Sequence, residues 1–289
     1  RRGDFRNKGE AVSPGVPLIV SDGKDLAPAQ RRKQLAEFIA SADNPLTARV
    51  IVNRLWHHHF GVGLVDTPSD FGIGGGLPSH PELLDWLANQ LLQQKWSLKA
   101  IHRLICLSHT YRQMSISKAG EKVDANNRLL WKQNPRRVDA ESLRDSVLAI
   151  SGKLNLTMGG PGYRDFNYKE EYAPVYTYIT ADSSDLWRRS IYRFVVRTTP
   201  QQFLTTLDCP NPANLTPTRT VTTTALQSLA LMNDEFMLKQ AGYLASRIEK
   251  ESGTDRSKQI SLAFQFVFGR APSATELKGA ETLVSKHGL

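Results

Sequence analysis

Apolar residues return every three to four positions over most of this chain, the spacing of helices with one buried face. A first helix is expected over about 29–42, closed by Asp43-Asn44-Pro45. The proline then opens a second helix over about 45–60, since a first-turn proline gives up only an amide that has no helical partner. At 100° per residue Ala48, Ile51, Val52, Leu55 and Trp56 share one face, with His59 near its centre. Gly61 and Gly63 break this helix, and a polar loop over 66–72 runs into Gly74-Gly75-Gly76. Ser79-His80-Pro81-Glu82 reads as a capping box before a helix that buries Leu83, Leu84, Leu87, Leu91 and Leu92. Ser97 is the expected N-cap of a helix from Leu98 to about Gln113, and Asp139 that of a helix reaching Ile150. Four more helices are expected over about 223–232, 235–250, 256–269 and 274–286.

The period changes between Gly152 and Arg197. Tyr172–Thr180 and Ile191–Arg197 are rich in aromatic and β-branched residues and are expected to be strands. The fold class is therefore mainly α, a multi-helix globular domain with a small β insertion around residues 172–197. Residues 1–28 read as an extended lead-in, with turn signals at Pro14-Gly15 and Ser21-Asp22-Gly23. Residues 29–289 read as one helical domain with a sub-domain boundary near 152–222. No apolar run approaches the roughly 18 residues of a membrane span.

Charge and cysteine content narrow the function classes. Of 289 residues, 37 are Lys or Arg and 28 are Asp or Glu, a difference of +9. Arg1-Arg2, Arg31-Arg32-Lys33, Arg136-Arg137 and Arg188-Arg189 lie far apart, so no basic helix or tail emerges and nucleic acid is a disfavoured partner. Two cysteines, Cys106 and Cys209, exclude a disulfide-rich scaffold and a four-cysteine zinc site. Cys106 falls in an amphipathic helix, where a free thiol is the ordinary state, and a disulfide to Cys209 stays open. The chain contains no Cys-x-x-Cys-His, so it is expected to attach no haem of its own. It opens without a methionine or a signal peptide and reads as a piece of a longer polypeptide.

Several polar sets could carry chemistry. Adjacent helical positions point 100° apart, so His57-His58-His59 cannot converge on one ion and no metal site is expected there. His59 falls on the apolar stripe, either as a satisfied core histidine or as a group reaching a cleft under the 67–72 loop. His102, His109 and Arg112 share a stripe with Leu98 and Ile105 if the helix runs to Gln113, as a polar seam between helices or as two separate ligands. Ser69, Asp70 and His80 have the residue types of a nucleophile, acid and base, but no Gly-x-Ser-x-Gly elbow accompanies them, and an Asx or Ser turn accounts for Ser69-Asp70. The glycines at 74–76 lack the Gly-Lys-Ser/Thr of a phosphate loop. Glu141 and Asp145, with Arg137 and Arg144, read as a surface charge network. Arg188 and Arg189 begin the expected second strand beside Tyr192 and suit an anionic or sugar ligand, or an internal ion pair with Asp70, Asp185 or Asp208. Arg219, Thr222, Thr224 and Gln227 gather at a helix mouth where an anion could sit.

Taken in order, Asp43-Asn44-Pro45-Leu46-Thr47, Asn53-Arg54-Leu55-Trp56, His58-His59-Phe60-Gly61, Thr67-Pro68-Ser69-Asp70-Phe71-Gly72, Ser79-His80-Pro81-Glu82-Leu83-Leu84, Ser108-His109-Thr110-Tyr111-Arg112-Gln113 and Thr222-Thr223-Thr224-Ala225-Leu226-Gln227 form a long ordered set. The chain resembles, over nearly its whole length, the planctomycete domain of unknown function 1553. Ala225 stands where that family's pattern leads one to expect proline. The resemblance implies the C-terminal part of a large exported protein, outside the cytoplasm, with a cytochrome-c-like haem domain and a second uncharacterised domain upstream. It supplies no reaction. The reading that follows is a non-catalytic helical module that packs on an upstream domain or binds an extracellular polymer. The alternative is an enzyme acting on polysaccharide or in a redox reaction, with His59, Asp70, His80, His102, His109 and Arg112 as its candidate groups.

Overall fold

The computed structural model describes residue 6 and residues 8–20, 26–27, 29–118 and 120–287. Of the sequence signals above, Arg1-Arg2 and Ser21-Asp22-Gly23 lie outside the described residues. The chain divides into two compact units, residues 1–136 and residues 137–289.

In the first unit the apolar periodicity becomes four helices, α1 (Arg31–Ile39), α2 (Thr47–Phe60), α3 (Pro81–Gln93) and α4 (Leu98–Leu107). Ala48, Val52, Trp56 and Phe60 of α2 pack with Leu84, Leu87, Ala88 and Leu91 of α3 and with Ile101 and Ile105 of α4. Ile51 and Leu55 border this core, so the whole predicted face of α2 is engaged. The Asn44 side chain accepts from the amides of Leu46 and Thr47 at 2.9 and 3.1 Å, satisfying donors that the helix start would orphan. Gly61, at φ +85°, closes α2 in the left-handed conformation that glycine adopts without strain. Beyond it, the fully buried Asn53 amide clasps the backbone of Val65 from both sides, accepting at 2.8 Å and donating at 2.9 Å.

Two local expectations fail here. The capping box of α3 is out of frame: Pro81 is the first helical residue and His80 the N-cap, so Ser79 and Glu82 sit one position too early. Ser79 Oγ instead meets His80 Nδ1 at 2.9 Å. Ser97 does cap α4, accepting from Ala100 N, but α4 stops at Leu107 rather than running to Gln113. The Ser108 hydroxyl donates to the Ile105 carbonyl at 2.7 Å and accepts from Tyr111 N at 3.1 Å, replacing the helical ladder with a turn. His109 and Arg112 are therefore not on one helical stripe with His102; both lie exposed in the turns after α4.

The second unit contains α5 (Ala140–Ile150), β1 (Phe166–Lys169), β2 (Val175–Tyr178), α6 (Gln202–Thr206), α7 (Ala225–Asn233), α8 (Glu235–Ser252), α9 (Arg256–Phe268) and α10 (Ala274–His287). Asp139 caps α5 through Ser142 N, as expected. Ala140 and Leu148 of α5 pack with Ala181, Phe203, Leu204, Leu207 and Phe236. Arg144 is not a surface residue: it is 5% exposed and donates to the carbonyls of Leu186 at 2.6 Å and Arg188 at 3.0 Å, which anchors the loop before α6.

The β insertion exists: β2 falls inside the strand expected over Tyr172–Thr180, but its partner is β1 and not the segment Ile191–Arg197. β1 and β2 pair antiparallel with Phe166 opposite Tyr178 and Tyr168 opposite Tyr176, and the Tyr168 and Tyr176 rings are 5.4 Å apart. The strand expected over Ile191–Arg197 is instead a 3-10 turn at Ser190–Tyr192 followed by an extended segment. Its backbone meets that of Tyr163, through Tyr163 N to Tyr192 O and Phe194 N to Tyr163 O. Arg193 is drawn out of any strand alternation by a buried ion pair with Asp165 at 2.8 Å, each side chain 8% exposed. Among the described residues no helix is long and apolar enough to cross a membrane.

Candidate functional site

In the first unit the structure joins two sets that lie 43 residues apart in the chain. His59, the penultimate residue of α2, and His102, in the middle of α4, meet with Nε2 to Nδ1 at 2.8 Å. Their rings cross at 67°. Cys106, one turn further along α4, brings its Sγ to 3.9 Å from the other nitrogen of His59, Nδ1. Tyr111, carried back by the turn at Ser108, sets its ring edge-on to those of His59 and Phe60. His59, His102, Cys106 and Tyr111 are all half-buried.

The electrostatics favour the neutral form of His59. Burial lowers its pKa below the ordinary imidazole value, and the charges of His102, Arg136 and His58 lower it further. His57 is shifted the same way, by burial, His58 and Arg136. Arg136 is tied to the end of α2 by a hydrogen bond to the His58 carbonyl. Because the two nitrogens of His59 face different partners, one ion could not take His102 and Cys106 together with His59. Among the described residues no three His, Cys, Asp or Glu side chains form a metal-ligand group.

The remaining candidates of this unit stand apart from the imidazole pair in their bonding. Asp70 accepts from Gly72 N at 2.8 Å while its carbonyl accepts from Thr67 Oγ1 at 2.7 Å, the Asx-turn arrangement that its sequence suggests. His80 is engaged by Ser79. Two surface hollows, of about 340 Å³ beside Phe38, Leu46 and Ile51 and about 480 Å³ beside Arg31–Lys33, are lined by none of these groups.

In the second unit the arginines are held by the protein itself. Arg188 donates to the carbonyls of Pro161 at 2.9 Å and Thr157 at 3.3 Å and lies over the Tyr192 ring; among the described residues it forms no ion pair with Asp185 or Asp208. Arg189 is exposed, 3.6 Å from Asp145. Arg219 forms a two-pronged pair with Glu141 at 2.7 and 2.9 Å. Gln227 completes a capping box with Thr224 at the start of α7, a Thr-x-x-Gln signal legible in the sequence. Its amide also donates to Asp208 at 3.1 Å and to Thr222 Oγ1 at 2.8 Å.

Asp208, which the sequence offered only as a partner for Arg188, is instead the hub of a different set of donors. It sits at φ +65°, a conformation unusual for a residue with a side chain. Its carboxylate accepts from Thr222 N and Oγ1, Gln227 and Arg137. Burial alone would raise its pKa, but these donors and the Arg137 charge hold it below the usual carboxylate range.

A family model described as PSD1, protein of unknown function (DUF1553), matches residues 31–284. Neither the curated proteins nor the solved structures contain a match to the chain.

Proposed function

The chain belongs to the DUF1553 (PSD1) family of proteins of unknown function, and we propose that within it this chain is a non-catalytic helical module of a larger exported polypeptide, docking on an upstream domain. The observation that carries this reading is α7. Only Gln227 of its nine residues is buried, while Leu226, Leu229 and Met232, at 68%, 53% and 69% exposure, line positions three apart. Three large apolar side chains on one stretch of helix form a surface that association would remove from water, with a gain of roughly 25 cal/mol per Å² of apolar area.

The bonding of the polar candidates supports the non-catalytic half of the reading. Asp70, His80, Arg188, Arg219 and Gln227 are engaged with their own chain. An upstream haem domain, as the resemblance implies, would make the docked partner a redox protein and leave this module without a cofactor of its own.

Methionine oxidation tests the proposal. Met232 is exposed here, as are Met114 and Met158, which serve as internal standards. In the isolated chain all three should oxidise with peroxide at comparable rates. In the full parent polypeptide Met232 should be protected while Met114 and Met158 are not. Equal oxidation of Met232 in both would overturn the docking role of α7.

A further inference from the structure

The two cysteines of this chain sit in opposite surroundings. Cys209 is half-buried with its Sγ 3.8 Å from the Pro210 carbonyl, and burial followed by the Glu141 carboxylate pushes its thiol up to about 11. Cys106 faces an imidazole instead, at 3.9 Å from His59 Nδ1, and that imidazole is bonded on its far side to His102 at 2.8 Å. A nucleophilic thiol needs a base within reach and a third group that orients the base. Both are present. With its proton on Nε2, His59 donates to His102 Nδ1, and its bare Nδ1 is turned toward the Cys106 thiol.

The surroundings sort into helping and opposing groups. Arg136 and His58 lower the proton affinity of His59, which keeps its Nδ1 bare and facing the thiol but makes it a weaker acceptor for the Cys106 proton. The carbonyl end of α4 opposes a thiolate, because Cys106 lies in that helix's last turn. The imidazole, not the helix, therefore has to take the proton. Tyr111 walls the other side of His59 with its ring. The Cys106 side chain remains partly open to solvent.

We propose that Cys106, His59 and His102 form a thiol–imidazole–imidazole relay that makes Cys106 a site of thiol–disulfide exchange with low-molecular-weight disulfides. The Cys106 proton passes to His59 Nδ1 and the sulfur attacks one sulfur of the disulfide. A bond forms between Cys106 and that sulfur as the original S–S bond breaks. The released thiolate takes the proton from His59 and leaves as a free thiol. Cys106 is oxidised to a mixed disulfide, and the leaving half of the attacked disulfide is reduced to a thiol. Cys106 and His59 are the reacting groups and His102 a positioning residue. This assignment is independent of the docking role of α7.

The test uses the full chain with Cys209→Ser, so that Cys106 is the sole thiol, and the aromatic disulfide 5,5′-dithiobis(2-nitrobenzoate). Its rate of reaction with the folded protein, followed by chromophore release across pH 5 to 9, should show an inflection on the acid side as His59 protonates. His59→Gln should remove that inflection and slow the reaction near neutrality by at least about tenfold, at the low end for loss of a general base. His102→Gln should give a smaller loss and shift the inflection, an effect on the pH profile that a packing role would not produce. A rate that rises with thiol ionisation alone in the Cys209→Ser chain overturns the proposal, whether or not the His59→Gln chain folds. An unchanged rate in a folded His59→Gln chain overturns it equally.

Discussion

Replacing Asn53 by alanine should unfold the first unit more readily than any truncation of similar size at its surface. Asn53 is fully buried and its amide forms both hydrogen bonds of the Val65 backbone, which is itself buried. No other group can step in. A side chain at Gly63 would place its Cβ 2.3 Å from the Val65 carbonyl oxygen and 2.8 Å from the Asn53 amide, so the loop already lies against the helix without slack. Asn53→Ala leaves one buried N–H and one buried C=O unmatched, each costing about 1–3 kcal/mol, so the total falls between about 2 and 6 kcal/mol. With a urea dependence of about 1–3 kcal/mol per molar, the unfolding midpoint should fall by about 0.7 M or more, the ratio of the two. Urea titration followed by far-UV circular dichroism measures it. Asn53→Asp retains the acceptor for the Val65 amide but sets a carboxylate against the Val65 carbonyl, and should be comparably unstable at pH 7 and less so in acid. A change below about 0.5 kcal/mol for Asn53→Ala, the range of ordinary surface substitutions, would refute the reasoning.

Two further outcomes follow from buried charge. Asp165→Asn removes one partner of the Arg193 ion pair, both side chains being 8% exposed, and should destabilise the second unit by about 3–5 kcal/mol through the stranded guanidinium; a melting temperature unchanged from wild type would contradict this. For pH, His59 and His57 titrate below their ordinary value when folded, so the unfolded chain binds more protons as pH falls through about 6.5. Their contribution is present above that pH and is lost as pH falls through their folded values, and His59→Gln should flatten the slope; stability that rises on acidification over this window, in the wild-type chain, would be inconsistent with neutral buried imidazoles.

What could be read from the sequence was local and periodic. The buried face of α2, the caps Ser97 and Asp139 and the four last helices follow from spacing and short-range bonding, and each has its counterpart in the structure. The end of α4 was not legible, because Leu104, Leu107 and Tyr111 continue the apolar spacing while the Ser108 hydroxyl breaks the ladder. Nor was β1: Asn167 and Lys169 carry no strand signal, and the pairing depends on aromatic contacts with β2 across the hairpin. His59 was noticed in one helix, and His102 and Cys106 in another. Only the packing of α2 on α4 brings them together, and no spacing rule encodes a contact 43 residues long. The role of Asp208 was not legible because its donors arrive from Arg137, 71 residues away, and from the separate Thr222–Gln227 segment.

The hairpin of β1 and β2 has only two strands, so each leaves one side of its ladder unpaired. Such a ribbon invites a third strand from another molecule. Its tip answers with charge: Lys169, Glu170 and Glu171 crowd the turn, and a Lys169–Glu171 pair at 2.6 Å caps it. An incoming chain would have to strip water from these ions before adding its own backbone bonds. Four-residue strands offer too short a template to repay that desolvation, and this discourages the ribbon from seeding fibrils.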